Sequence, residues 1–454
     1  MKITPYFIIL LLLATQVAAK PNIVLFMADD LTYTDLGTYG GQAETPNLDQ
    51  FAKEGMKFSR AYQATAVCSP TRQNLLTGMW PVRNGAYPQT AYIYKHVKTL
   101  PQYFKELGYR VGIVGKRHFY PEKQYPFEYL TKDKKMDFEA ADKFLTSVGD
   151  QPFFLFVATP EPHFPWTKTT GKTYSGADLK LPKNWVDTPE TRTAYANYLG
   201  EVTYQDWEFG EVIKLLKKHK KYDNSAVFYT SEQGASFPYA KWTTYESGVH
   251  TGFVARWPNK IPAGVTNNAI VEYTDFLPTF LDMADGKIAK AIDGVSFKEN
   301  LLTNSQKSKP YTFSMHTLRG EPWGGEYFGV RTIRDDRFTF IHNLHPDMLF
   351  EQHLTRYGDG FFNSWRHKAW HDVEANKLFL RYIKHPEFEL YDREVDPMEL
   401  NNLANDPKYA KTMKKLRKEL KRWMKKNGDK GHETEMAALE RQAKDKLPKE
   451  GDLW

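Results

Sequence analysis

The only cysteine of this chain, Cys68, opens a stretch whose residue types and spacing could do chemistry. Behind it, Ser69 reads as a helix N-cap, Pro70 as the first helical residue and Gly78 as the stop. Cys68 then sits just before a helix N-terminus, where free N–H groups and the macrodipole favour an anion. Arg72, about one turn further in, can neutralise charge formed at position 68. A second chemical group is Asp29-Asp30, which closes an apolar run starting at Pro21. Two adjacent aspartates repel each other unless a cation lies between them. Hard oxygen ligands favour Ca²⁺ or Mg²⁺. His163 lies in Pro160-Glu161-Pro162-His163-Phe164-Pro165. Prolines on both sides restrict the backbone there, and an imidazole suits proton transfer near neutral pH.

The elements around these residues read as an α/β fold. Residues 21–28 and 152–159 are apolar runs, the pattern of strands buried on both faces, and residues 109–116 and 225–231 also read as strands. Chemistry-bearing residues follow each strand: Asp29-Asp30, Lys116-Arg117-His118, His163, and Glu232-Gln233. Open α/β sheets place their sites at such strand ends. A capped short helix closing on glycine is expected over 45–55, another helix over 99–108, and one or two more over 191–219. In the last, Trp207, Phe209, Val212, Leu215 and Leu216 form an apolar stripe read as core. Residues 167–189 read as a surface loop.

Taken together, these motifs resemble the type I sulfatases of the alkaline-phosphatase superfamily. The resemblance rests on C-x-P-x-R with L-x-T-G at 68–78, P-N-I followed by D-D at 21–30, T-P-N-L-D-x-x-A-x-x-G at 45–55, G-K-x-H at 115–118 and P-H-x-P at 162–165. It continues through D-G-x-S-x at 293–297 and L-Y-D, D-P-x-E and N-L-A between 390 and 404. It implies a large mixed β-sheet sandwiched by helices, with a smaller C-terminal α+β domain carrying an antiparallel sheet. In that family the cysteine is oxidised by a separate formylglycine-generating enzyme to formylglycine, an aldehyde whose hydrate attacks sulfur. The resemblance further implies one Ca²⁺ ion held by Asp29, Asp30, Glu232, Gln233 and the residue derived from Cys68. Arg72, Lys116 and Lys241 would steady the sulfate, His163 would protonate the leaving oxygen, and His118 would take a proton from the hydrated aldehyde. The chain departs from the family at Glu232 and Gln233, where Asp and His or Asn are usual, and at His250, where arginine is frequent. His250 is a candidate substrate contact. The implied reaction is hydrolysis of sulfate esters on a sulfated polysaccharide or oligosaccharide. The Glu232-Gln233-Gly234 variant is similar to N-sulfoglucosamine sulfohydrolase-like sequences, so cleavage of a sulfamate is an alternative. Phosphate or phosphonate ester hydrolysis and a catalytically idle glycan-binding protein are further ones.

Length and composition fit this reading. The 454 residues suit a large domain, 20–308, plus a smaller one, 309–454 with a basic helical tail. Residues 1–19 read as a cleaved signal peptide, and their apolar run is too short to span a bilayer. The expectation is an exported protein, secreted or periplasmic, without stable membrane insertion. A net charge of +7 over this length does not point to nucleic acid. Residues 412–423 read as a basic amphipathic helix packed on a sheet, and the tail from Lys425 as a solvated or partly disordered segment.

Overall fold

The computed structural model describes residues 20–133, 135–321, 324–357 and 360–446. The expected signal peptide, 1–19, lies outside them. Nine strands form the larger sheet: β1 (Asn22–Ala28), β2 (Met56–Tyr62), β3 (Arg110–Gly115), β4 (Glu128–Tyr129), β5 (Phe153–Ala158), β6 (Ser225–Ser231), β7 (His250–Arg256), β8 (Val265–Asn267) and β9 (Val271–Glu272). Their order is β4-β3-β5-β1-β6-β7-β2-β8, with β9 also on β2. β3, β5, β1 and β6 run parallel, with Ile23 opposite Phe154 on one side and Ala226 on the other. β7 is antiparallel to both β6 and β2, so the sheet is mixed.

All residues of β1, β5 and β6 are buried, as the apolar runs of β1 and β5 require. Alternate residues feed two cores. Val24, Phe26 and Tyr229 pack into the one that includes Phe209 and Leu216, and Leu25, Phe154 and Phe228 into the one that includes Phe276 and Phe280.

The helices used below are α1 (Pro46–Glu54), α2 (Cys68–Thr77), α3 (Leu100–Glu106), α4 (Pro189–Lys218) and α5 (Ala410–Asn427). α3 starts on a capping box between Thr99 and Gln102. α4 is one helix of 30 residues. Its stripe is corrected in one respect: Phe209, Val212 and Leu216 are buried, but Trp207 is 37% exposed. The buried face of α4 instead takes in polar side chains. Asp206 accepts from the first free N–H groups of α1, Asn47 at 3.0 Å and Leu48 at 2.8 Å.

A second sheet, β10 (Thr312–Thr317), β11 (Gly329–Arg334), β12 (Phe338–Asn343) and β13 (Phe388–Asp392), is antiparallel throughout. α5 packs on it through Leu416, Leu420 and Trp423. Residues 428–446, after α5, are packed against the rest of the protein, contrary to the expectation of a solvated or partly disordered tail; residues 447–454 lie outside the described residues. Glu435 and Ala438 are buried. Gln442 bridges to Ala91, and Ala443 N–H donates to Thr90 O at 2.8 Å. No helix among the described residues is long and apolar enough to cross a membrane.

Candidate active site

Because β3, β5, β1 and β6 are parallel, their C-terminal ends share one edge of the sheet. Lys116, the Thr159–His163 turn, Asp29-Asp30 and Glu232-Gln233 therefore converge there. The turn is tied to its neighbour strand: Asp29 N–H donates to Glu161 O at 2.9 Å. Asp30 takes a left-handed backbone, φ +57°, which aspartate tolerates better than most residues. Gly234 is required by close approach, since a Cβ there would lie 2.0 Å from Ser247 O.

α2 meets this edge at its N-terminus and begins two residues earlier than its sequence implies, with Cys68 itself in the first turn and Val67 at the cap position. Ser69 is not the cap. Its N–H is satisfied instead by Gln89 Oε1 at 3.1 Å, while its hydroxyl accepts from Gln73. Gly78 ends the helix at φ +63°, as expected.

Around Cys68 the charges alternate. Arg72 grips Glu232 through two bonds, Nε to Oε1 at 2.8 Å and Nη2 to Oε2 at 2.9 Å, both side chains fully buried. It also donates to Lys116 O at 3.0 Å. Lys116 pairs with Asp29 and lies 3.7 Å from Glu232. Lys241 donates to Asp30 Oδ2 at 2.5 Å and faces His163 Nε2 at 3.1 Å. The Cys68 thiol points at Asp29 Oδ1, 3.9 Å away, and receives Gln233 Nε2 at 3.1 Å. Ser236, which the motifs did not single out, donates to Asp30 Oδ2 at 3.0 Å.

These contacts set the protonation states. Burial pushes the Cys68 thiol up to about 12 and Glu232 adds to this, so the group is a neutral thiol at neutral pH. Burial acts against the charges of Lys116 and Lys241, but Asp29 and Asp30 respectively outweigh it and keep both lysines ionised. Burial also raises Asp30, yet Lys241, His163 and Lys116 together hold it below the usual carboxylate range. Glu232 stays raised by burial, with Arg72 opposing and Asp29 adding to the rise. His163 is pushed down to about 3 by burial and then by Lys241. Its Nδ1 lies 2.6 Å from Phe164 O, so Nδ1 carries the proton and Nε2 accepts from Lys241.

One oxygen each from Asp29, Asp30 and Glu232 lies within 4.8 Å of the others and of the Cys68 sulfur. Gln233 Oε1 is buried beside them and accepts no hydrogen bond. Three carboxylates and an orphaned amide oxygen fit a hard divalent cation. Repulsion alone does not demand one, however, because Arg72, Lys116 and Lys241 already balance the three carboxylates.

Two of the expected residues make contacts of another kind. His118, at φ +51°, has Nε2 3.4 Å from Thr90 Oγ1. Thr90 adjoins Gln89, so His118 is linked to the start of α2 through that loop. His250 is 3% exposed. Its ring stacks on Tyr33 at 3.8 Å and Nδ1 meets Glu246 Oε1 at 2.7 Å. Glu246 in turn pairs with Arg334 and Arg393 of the second-sheet region. His250 thus belongs to a buried network joining the two sheets, and the structure does not bring it to the cleft.

Known proteins share this arrangement of sequence and fold. The Sulfatase family model matches residues 21–286, and a second model, N-sulphoglucosamine sulphohydrolase, C-terminal, matches 234–354 and 360–426. An ulvan-active sulfatase of Formosa agariphila is 31% identical over 92% of this chain and 82% of its own length. The human N-sulphoglucosamine sulphohydrolase is 27% identical over 91% and 92%. Among solved structures, a protein in complex with its substrate D-glucosamine-2-N,6-O-disulfate superposes with a TM-score of 0.69 at 20% identity, covering 90% of this chain and 99% of the other. A 2-O GAG sulfatase gives 0.67 at 22%, covering 90% and 93%. With the family model spanning more than half of its length, this chain belongs to the sulfatase family of the alkaline-phosphatase superfamily and is a sulfuric ester hydrolase.

Proposed function

We propose that the protein hydrolyses sulfate esters of a sulfated saccharide, using position 68 as the nucleophile after oxidation of Cys68 to formylglycine. The observation that carries this reading is the placement of Cys68 in the first turn of α2, among Asp29, Asp30, Glu232 and Gln233 and within the field of Lys116 and Lys241. A thiol held at about 12 is a poor nucleophile near pH 7, which argues that the residue acts in another form. One hydroxyl of the hydrated aldehyde would attack sulfur and displace the sugar oxygen; the second would then lose its proton, expel sulfate from the first carbon–oxygen bond and regenerate the aldehyde. Asp29, Asp30, Glu232 and Gln233 would hold a calcium ion, which polarises sulfate and nucleophile when bound.

The chain's own groups account for the rest. The transferred SO₃ group spreads negative charge over its oxygens, so catalysis is mainly positioning and electrostatic stabilisation. Lys116 and Lys241 keep full positive charge at the sheet edge to meet that charge. Arg72 holds Glu232 in place. His163 faces the leaving oxygen as general acid, and His118 serves the nucleophile. Export through residues 1–19, maturation by a formylglycine-generating enzyme, and a division near residue 308 complete the proposal.

A second reading, sulfamate cleavage, is favoured by the N-sulphoglucosamine sulphohydrolase model over the C-terminal part and by the human relative. Sulfate release from matched O-sulfated and N-sulfated glucosamine, with mass analysis of the peptide carrying residue 68, tests both. O-sulfate turnover with an aldehyde at 68 supports the first reading. Turnover confined to the N-sulfate supports the second. An active protein holding only unmodified thiol refutes the nucleophile assignment.

A further inference from the structure

α5 concentrates the charge of the whole molecule. Its sequence AKTMKKLRKELKRWMKKN holds nine lysines and arginines and one acid, Glu419. Its net charge is +8 against +7 for the full chain, so everything else together carries −1. The apolar stripe of the helix is already used. Leu416, Leu420 and Trp423 are buried against the second sheet, with Trp423 stacked on Phe313 and edge-on to Trp80, both at 5.1 Å. The face left to solvent is basic. Lys411, Lys414, Lys418, Lys421 and Lys425 are all exposed and recur every three or four residues. They form a row about 21 Å long at 1.5 Å per residue.

We propose that this face is an attachment surface for a sulfated polysaccharide chain, separate from the catalytic residues. The row is preformed on a packed helix, and a linear polyanion binding along it releases condensed counterions. Other anionic partners fit less well. An interfacial membrane helix needs an exposed apolar half, and here that half is buried. Single-stranded nucleic acid needs aromatic platforms, and Trp423, the only aromatic residue of the helix, is 6% exposed. A sulfated polymer complements the row in charge. The identity of that polymer rests on the function proposed above. α5 also contacts Trp80, just beyond the C-terminus of the helix that begins at Cys68. A polymer, unlike a monosaccharide, is long enough to touch both places, and the second contact raises its effective concentration at the cleft.

The test uses the full, matured protein and a variant carrying Lys414→Glu, Lys418→Glu, Lys421→Glu and Lys425→Glu. Among the described residues none of these four forms an ion pair. A second variant with glutamine at the same positions covers the case in which the charge reversal fails to fold. Binding to heparin, to desulfated heparin, to duplex DNA and to anionic phospholipid vesicles is followed over a salt series, beside turnover of a short sulfated saccharide. The expected result is heparin binding that depends on its sulfates, weakens by roughly tenfold or more in the variants and loses much of its salt dependence. Short-substrate kcat/KM stays within about twofold. Unchanged heparin affinity overturns the proposal, as does tighter binding of the parent to DNA or vesicles than to heparin. If polymer binding falls as expected while no sulfated substrate is hydrolysed, the surface stands and the catalytic reading fails.

Discussion

Replacing His163 by alanine separates leaving-group protonation from the rest of the chemistry. In the structure His163 Nε2 accepts from Lys241 and lies 3.4 Å from Asp30 Oδ2, and burial with Lys241 holds the ring near 3. At pH 7 only about one ring in 10⁴ is then protonated, so the anionic substrate must raise His163 by about 3 to 4 pKa units, roughly 4 to 5 kcal/mol of interaction. A sulfate that draws Lys241 away does this twice over, by removing a cation and adding an anion. General acid catalysis of this kind is worth about 10²- to 10⁴-fold. His163→Ala should therefore lower kcat by about that factor on a sulfated sugar, whose alkoxide leaves poorly, and by about tenfold or less on an aryl sulfate. The pH profile carries the same signature. In kcat/KM, which reports the free enzyme, the His163 limb should be a decline already under way above about pH 4 with no further bend, whereas in kcat the bend should move up to the raised pKa of the complex. His118→Ala, whose effect falls on the nucleophile, should slow both substrates alike. Equal losses on both substrates for His163→Ala would remove it as the general acid.

Three further outcomes follow from the buried charges. Arg72→Leu takes from buried Glu232 its two-bond partner and leaves only Lys116, 3.7 Å away, and should lower stability by about 3 kcal/mol in denaturant unfolding; a loss below about 1 kcal/mol would mean that the pair contributes little. Glu232→Gln removes one of three carboxylates at the candidate cation site, so calorimetric Ca²⁺ binding and sulfatase activity should weaken together; if both stay as in the parent, the ligand assignment is wrong. Glu208 is raised from 4.5 to about 8 by burial, so the folded state holds a proton that the unfolded state has lost. Stability should then fall as pH rises from about 4.5 to 8, by up to about 1.4 kcal/mol per unit, and Glu208→Gln should flatten that slope in melts across the window.

The cleft was legible in sequence where chemistry follows a buried strand. Asp29-Asp30, Lys116 and Glu232-Gln233 each follow a stretch that reads as a strand, and parallel pairing of those strands brings the residues together. What failed to show was long-range satisfaction of polar groups. Ser69 looks like a cap because its hydroxyl precedes Pro70 and could accept from the first turn, whereas the helix starts at Cys68 and Gln89 from the next loop takes the Ser69 N–H that the first turn leaves free. The acids of α4 look like a solvent face until α1 and the 159–168 turn are seen to use them: Asp206 caps α1, and Glu201 accepts the N–H groups of Thr167 at 2.7 Å and Lys168 at 2.9 Å. His250 follows a family motif but turns into the buried Glu246 network. Residues 428–446 are rich in charge, and their order comes from distant partners: Asp429 pairs with Arg331, Glu435 accepts from the N–H groups of Leu318 and Arg319, and Arg441 and Gln442 meet the 85–92 segment.

The central claim is that sulfate transfer runs through position 68. Its most direct measurement is sulfate released from a sulfated oligosaccharide by the protein matured with a formylglycine-generating enzyme, compared with Cys68→Ala prepared identically. The account predicts turnover by the first and none above background by the second, with both proteins melting at closely similar temperatures. Comparable sulfate release by Cys68→Ala would contradict it.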